Sequence, residues 1–268
     1  MPSQKKYRLI WEDSFTSGQL DLTKWNYRYG NWIPQKEHIP AAKGWGNGEL
    51  QYYTDWPENI RLENDRLIIQ AHRRSTHLPD GDVCSYTSAR IDTKGLFSFC
   101  YGKIEFRVRC SAGPGAWPAV WMMPEDSVYG DWAASGEIDL FEARGRLPKQ
   151  VCGTIHYGGV TPNKTHREFT GEPGGGSDIS SFHVYEVIWE EGYIAWYVDG
   201  YRYASVSAWE SFTPGIPYPA PFDQNFYLII NLAIGGYFDL PAAEKIDMLR
   251  LPVTFEIDYI RVYQRPGR

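Results

Sequence analysis

The chain has 268 residues with 27 basic and 33 acidic side chains, a formal charge of −6, and carries 11 Trp, 19 Tyr and 12 Phe beside 26 Gly and 18 Pro. That acidic balance excludes a nucleic-acid binder that works by displacing counterions. No window approaches 18 apolar residues, so nothing reads as a membrane span, and four cysteines without CxxC spacing exclude a disulfide scaffold or a zinc ribbon.

Taken in chain order, Met1-Pro2-Ser3-Gln4-Lys5-Lys6 has no apolar stretch behind it and runs straight into a strand-like Tyr7-Arg8-Leu9-Ile10-Trp11. The chain therefore either stays inside the cell or has lost a leader. Residues 103–110 alternate apolar and charged side chains, the pattern of a half-buried antiparallel strand. The run Gly171-Glu172-Pro173-Gly174-Gly175-Gly176 is a loop, without the Lys-Ser/Thr of a phosphate cradle. Residues 183–189 turn through Glu190-Glu191-Gly192 into 193–198, which turn through Asp199-Gly200, a strong hairpin signal, into 201–206. Residues 226–232 and 255–264 read as strands, and 242–248 as the single short helix. Many short strands with turn signals, no repeat and no linker make one all-β domain over 1–268, a sandwich of two antiparallel sheets. Cys84, Cys100, Cys110 and Cys152 read as buried thiols with room for one bridge. The excess of Trp and Tyr also offers flat, amphipathic surface that stacks on sugar rings.

The chemistry concentrates in Ser135-Gly136-Glu137-Ile138-Asp139-Leu140-Phe141-Glu142-Ala143-Arg144-Gly145. Three carboxylates in six residues of an otherwise apolar strand are costly unless used or paired. Glu137 and Asp139 share a face by the two-residue period, and a β-bulge at Leu140-Phe141 turns Glu142 to the same side. Glu137 and Glu142 then stand roughly 13 Å apart at Cα, at about 3.3 Å per step. Their side chains close that to about 5–6 Å, the separation of a retaining glycosidase, against roughly 6.5–9.5 Å for an inverting one. Coupled carboxyls drive one pKa up. Glu137 is then the nucleophile, Glu142 the acid and later the base, and Asp139 the residue that holds a rotamer. A lone Glu-x-Asp-x-x-Glu string also occurs on solvated edge strands. Here the apolar Ile138, Leu140 and Phe141 mark an interior strand, and the Trp-rich stretch from Gly113 to Pro124, with Trp132, lies just upstream.

These segments together resemble glycoside hydrolase family 16, specifically its laminarinase-like bacterial endo-β-1,3(4)-glucanases. The resemblance runs through Trp45-Gly46-Asn47-Gly48-Glu49-Leu50-Gln51-Tyr52-Tyr53-Thr54, Tyr86 to Arg90, Tyr101 to Glu105, Trp117 to Trp121, Gly136 to Gly145, Gly153 to Tyr157, Asn231 to Gly236 and Ile257 to Tyr263. It implies a β-jelly-roll with a concave substrate cleft, with Glu137 as nucleophile and Glu142 as acid/base. The bulged spacing sets the chain with laminarinases, since lichenases and xyloglucan-modifying members carry an unbulged Glu-x-Asp-x-Glu. The resemblance also places sugar contacts at Asn47, Arg90, Trp117, Trp121, Trp132 and His156. Trp121 suits a core position equally well, and a lone His156 is also compatible with a hydrogen-bonded structural role. His38, His72, His77, His166 and His183 lack metal-ligand spacing and read as surface or core.

A structural Ca2+ is implied at Glu12, the carbonyl of Asp65 and Asp258, where the family's usual loop glycine is replaced by Asp65; three ordinary surface acids fit as well. Two departures bear on specificity: Tyr237-Phe238 stands where the family has a polar residue and Trp, and 31–43 is longer than usual. The expectation is a secreted, monomeric endo-β-1,3-glucanase that also cuts mixed-linkage β-1,3-1,4-glucan. It would use no cofactor in catalysis and bind neither nucleic acid nor membrane. The rivals are a galactan hydrolase of the same fold, acting on agar, porphyran or carrageenan, and a non-catalytic β-glucan recognition protein. Retention of all three carboxylates argues against the second.

Overall fold

The computed structural model describes residues 7–33, 42–78, 81–239 and 250–267. The helix expected at 242–248 and most of the long 31–43 segment lie outside them.

Seven strands form one sheet in the order β14 (Thr165–Gly171), β13 (Val151–Tyr157), β12 (Glu137–Glu142), β11 (Ala116–Pro124), β18 (Phe226–Ile234), β9 (Arg90–Asp92) and β2 (Asn26–Arg28). A ten-stranded sheet covers its inner face. Its path runs β17 (Tyr201–Val206), β16 (Tyr193–Val198), β15 (His183–Glu190), β10 (Gly102–Cys110), β19 (Val253–Gln264), β7 (Leu67–His77), β8 (Val83–Ser88) and β5 (Gln51–Tyr53). In that sheet β1 (Arg8–Asp13) lies beside β19, and β6 (Ile60–Leu62) beside β7. A short ribbon pairs β3 (Trp32–Ile33) with β4 (Ala42–Lys43). The antiparallel sandwich anticipated from alternation is therefore present, with one exception. β5 and β8 pair in parallel, a connection that needs a crossover, and β6 and β7 intervene to supply it.

The alternation read in β10 places Ile104, Phe106 and Val108 in the core, with Lys103, Glu105, Arg107 and Arg109 turned outward. The Asp199-Gly200 hairpin forms as expected, with φ of 49° and 79° at its two central residues, the positive pair that a twist-matched two-residue turn requires. Trp25, Trp189 and Trp196 fill the space between the sheets and are fully buried. Part of the tryptophan excess thus packs the core rather than a sugar platform. No disulfide forms among the four cysteines, of which Cys84, Cys110 and Cys152 are buried as expected and Cys100 is half-buried.

Candidate active site

β12 carries the three carboxylates, and its register shows how they reach one face. Asp139 pairs with Thr154 and Glu142 with Cys152 across β13, so Leu140 and Phe141 together oppose Gly153 alone. The register against β11 shifts at the same place, with Trp121 facing Asp139 and Val120 facing Phe141. Leu140 and Phe141, neighbours in sequence, are accordingly both in the core. This is the bulge expected from the spacing, and it turns Glu142 toward the outer face with Glu137 and Asp139. The strand enters from Gly136, at φ +83°, where an added Cβ would lie 2.8 Å from the Phe222 ring. Only glycine fits that entry.

Each glutamate is held by an indole. Trp132 donates Nε1–H to Oε2 of Glu137 at 2.5 Å, and Trp117 donates Nε1–H to Oε1 of Glu142 at 2.9 Å. His156, paired with Glu137 across β13, places Nε2 at 3.3 Å from Oδ2 of Asp139 and 3.8 Å from Oε1 of Glu137. Asp139 is 2% exposed and Glu142 8%. Burial is the main force raising the Glu142 carboxyl well above the usual range, with the charges of Asp139 and Glu137 adding and the Trp117 hydrogen bond opposing. Asp139 is also held well above its usual value, first by burial and then by the charge of Glu137 and a hydrogen bond to it. Both groups therefore keep their protons far longer than a solvated carboxyl. Burial thus marks Glu142 as a carboxyl able to deliver a proton.

A second cluster lies across β11, β18 and β9. The Arg90 guanidinium sits between the rings of Trp45 and Trp121, at 4.4 and 4.8 Å from their centroids. Trp121 donates to Oδ1 of Asn231 at 2.7 Å, and Asn231 donates to the Tyr53 hydroxyl at 3.1 Å. Tyr53 in turn donates to Oε2 of Glu49 at 3.1 Å, and Gln51 to the same oxygen at 2.7 Å. Asn47 completes the ring with a 3.1 Å bond to Oε1 of Glu49. Trp121 is therefore not a core residue: it is half-buried on the outer face, against Arg90. Glu49, Gln51, Tyr53, Asn231 and Trp45 were not anticipated as site residues. The two-residue period of Glu49-x-Gln51-x-Tyr53 is the signal that carries the first three.

Phe238 stacks on Trp117 at 4.9 Å and 23°, and the Arg144 guanidinium covers its other surroundings 3.8 Å from the ring centroid. The departure at Tyr237-Phe238 thus keeps an aromatic contact with Trp117 and leaves Tyr237 65% exposed. His166 stacks on His156 at 5.4 Å, and the Lys164 ammonium lies 4.3 Å over Trp132. His166, read as surface or core, belongs beside the site. His183 is structural, with its two nitrogens bound to Asp199 and Ser177 at 2.7 Å each.

The set implied for calcium gathers at one edge of β19. β1 and β7 lie on the same side of β19, which brings the regions of Glu12, Asp65 and Asp258 toward one another. Cations of the chain hold oxygens of Glu12 and Asp258. Asp258 pairs with Arg107 at 2.6 Å and Arg66 at 3.6 Å, Glu12 pairs with Arg261 at 3.3 Å, and Lys24 donates to the Glu12 carbonyl at 2.8 Å. Asp65 adopts the left-handed φ of 56° that the usual glycine would take. A divalent ion at these oxygens would have to displace these charged donors.

Residues 42–249 match the family model described as glycosyl hydrolases family 16. The chain belongs to glycosyl hydrolase family 16. Among curated family 16 relatives, it is 44% identical to the glucan endo-1,3-beta-glucosidase A1 of Niallia circulans, over 98% of this chain and 39% of that protein. It is 37% identical to the beta-glucanase of Rhodothermus marinus, over 96% of this chain and 85% of that one. The catalytic domain of the Thermotoga petrophila endo-1,3-beta-glucanase (laminarinase) superposes with a TM-score of 0.81 at 35% identity, covering 98% of this chain and all of that domain. The jelly-roll fold and the glycoside hydrolase class follow, and family 16 chemistry needs no cofactor. The chain spans about two fifths of the Niallia protein and most of the Rhodothermus one.

Proposed function

We propose that this family 16 chain is a retaining endo-β-1,3-glucanase of the laminarinase type that also accepts mixed-linkage β-1,3-1,4-glucan. The observation that carries the reading is the pairing, on one bulged strand, of Glu137 held by Trp132 with a buried, proton-holding Glu142 held by Trp117. In the first step Glu142 gives its proton to the glycosidic oxygen as Glu137 attacks the anomeric carbon, forming a glycosyl ester. Esterification removes the charge of Glu137, one of the influences that raise Glu142. Glu142 then becomes a stronger acid, ionises, and takes the proton of the incoming water. Asp139, hydrogen-bonded to Glu137, fixes its rotamer through both steps. Trp117, Trp121, Trp132 and Phe238 supply stacking faces for pyranose rings, and Arg90 and Asn47 supply donors for hydroxyls.

All these groups come from one chain, which supports action as a monomer. A polymeric substrate supports a site of action outside the cell. Three carboxylates on one face, two of them buried, weigh against a recognition protein, and the excess of acid over base weighs against sulphated galactans. The test is release of reducing ends from laminarin, curdlan, lichenan, xyloglucan, agarose and carrageenan, with Glu137→Gln as control. Cleavage of laminarin and lichenan is expected. Cleavage of agarose without laminarin would overturn the substrate, and full activity in Glu137→Gln would overturn the mechanism.

A further inference from the structure

The structure assigns a second ligand to the nucleophile's pocket: Glu137, Asp139 and His156 form a reversible site for a borderline divalent transition ion, represented by Zn2+, whose occupation excludes the sugar. Their donor atoms all lie within 4.8 Å of one another. Two donors bound at about 2.1 Å to one ion can stand up to about 4.2 Å apart. Nε2 of His156 is 3.3 Å from Oδ2 of Asp139 and 3.8 Å from Oε1 of Glu137, so both separations already suit a shared ion.

The free valences point the same way. Oδ2 of Asp139 is buried and makes no hydrogen bond, in a residue only 2% exposed. Buried oxygens without partners are rare and call for an occupant. Trp132 takes Oε2 of Glu137 and leaves Oε1 directed toward His156. Among the described residues no lysine or arginine forms an ion pair with Glu137, Asp139 or Glu142, so no internal cation competes. This is the opposite of the Glu12 and Asp258 carboxylates, which guanidiniums neutralise.

The backbone presets the geometry. Glu137 and Asp139 are two residues apart on β12, and His156 faces Glu137 directly on β13. Three side chains on two paired strands need little reordering to converge. One imidazole with two carboxylates suits Zn2+ and its neighbours, whereas Ca2+ prefers oxygen alone. Three protein ligands leave a coordination position open toward the side from which sugar arrives. The ion would displace the proton that Asp139 holds and occupy the lone pair that Glu137 uses for attack, so metal and substrate compete.

Isothermal titration of the full chain with ZnCl2 in a non-coordinating buffer at neutral pH tests the site directly, without reference to the polysaccharide. One ion per chain is expected with a dissociation constant on the order of micromolar. His156→Gln and Asp139→Asn should each weaken binding by at least about tenfold, while CaCl2 should not compete. No binding below about 1 mM, or unchanged affinity in a folded His156→Gln, would overturn the site. X-ray absorption of the zinc-loaded wild type covers the case in which the variants misfold: a nitrogen/oxygen shell with one imidazole is expected, and a shell containing sulfur or two imidazoles would overturn it. On any cleaved substrate, Zn2+ should raise KM with kcat unchanged; a fall in kcat at constant KM would contradict competition.

Discussion

Trp196 donates its indole N–H to the carbonyl oxygen of Asp139 across 2.9 Å, fastening the ten-stranded sheet to the bulged strand from beneath. The contact is possible because residue 153, opposite the bulge, is glycine: a Cβ there would lie 2.4 Å from Cδ1 of Trp196. The position of the three carboxyls is thus set partly from inside the core.

Gly153→Ala should therefore push the indole away and release the Asp139 carbonyl. A destabilisation of about 1–3 kcal/mol is expected from overpacking, together with a kcat loss larger than the KM change. Chemical denaturation and steady-state kinetics read the two effects. Wild-type stability and kinetics in this variant would show that the indole does not position β12.

The roles of the two glutamates separate by rescue. With an aryl β-glucoside of good leaving ability, Glu142→Ala should lose about 10²–10⁴-fold in deglycosylation, and azide should restore turnover as the β-glycosyl azide. Glu137→Ala with azide should instead give the α-azide, because the anion then attacks the face left by the missing carboxylate. Product NMR distinguishes them, and the reverse pairing would exchange the assignments.

In the proposed mechanism Glu142 must be protonated to act, and its carboxyl is raised by burial and by its neighbours' charges. Activity should therefore persist above the ordinary carboxylate range and fall as pH rises through the raised pKa. The Trp117 hydrogen bond is the larger of the two influences that lower it, the charge of His156 being the other. Removing that bond in Trp117→Phe should shift the basic limb of kcat/KM to higher pH while lowering kcat. A shift to lower pH would contradict the assigned cause.

The same raised pKa has a cost in stability. A carboxyl whose folded pKa lies above its unfolded value is fully favourable only below the unfolded pKa, and loses that advantage as pH rises toward the folded one. Glu142→Gln should therefore melt with wild type near pH 4, about the unfolded Glu value, and above it as pH approaches neutrality. The gain should be about 2–4 °C per kcal/mol relieved in a chain of this size. Equal melting temperatures across the range would mean that Glu142 is not destabilised by ionisation.

The three-carboxylate strand was legible because its cost is local. Three carboxylates among Ile138, Leu140 and Phe141 need a reason, and two adjacent apolar residues flanked by acids require a bulge. The Glu49 relay was harder to read, since its meaning depends on Tyr53 of β5 meeting Asn231 of β18, residues 178 positions apart. Trp121 remained ambiguous because one strand's alternation does not say which sheet face is covered. The neighbours of the calcium set were hidden for a similar reason. Glu12 and Asp258 look like hard-cation ligands until strand pairing brings Arg261, Arg66 and Arg107 against them.

The most direct test of the double-displacement account is proton NMR of the first products released from a β-1,3-glucan oligosaccharide, recorded before mutarotation. With Glu137 attacking and Glu142 serving as acid and then base, the new reducing end appears first as the β-anomer and drifts toward equilibrium. An initial excess of the α-anomer would mean direct attack by water, and Glu137 would not be the nucleophile.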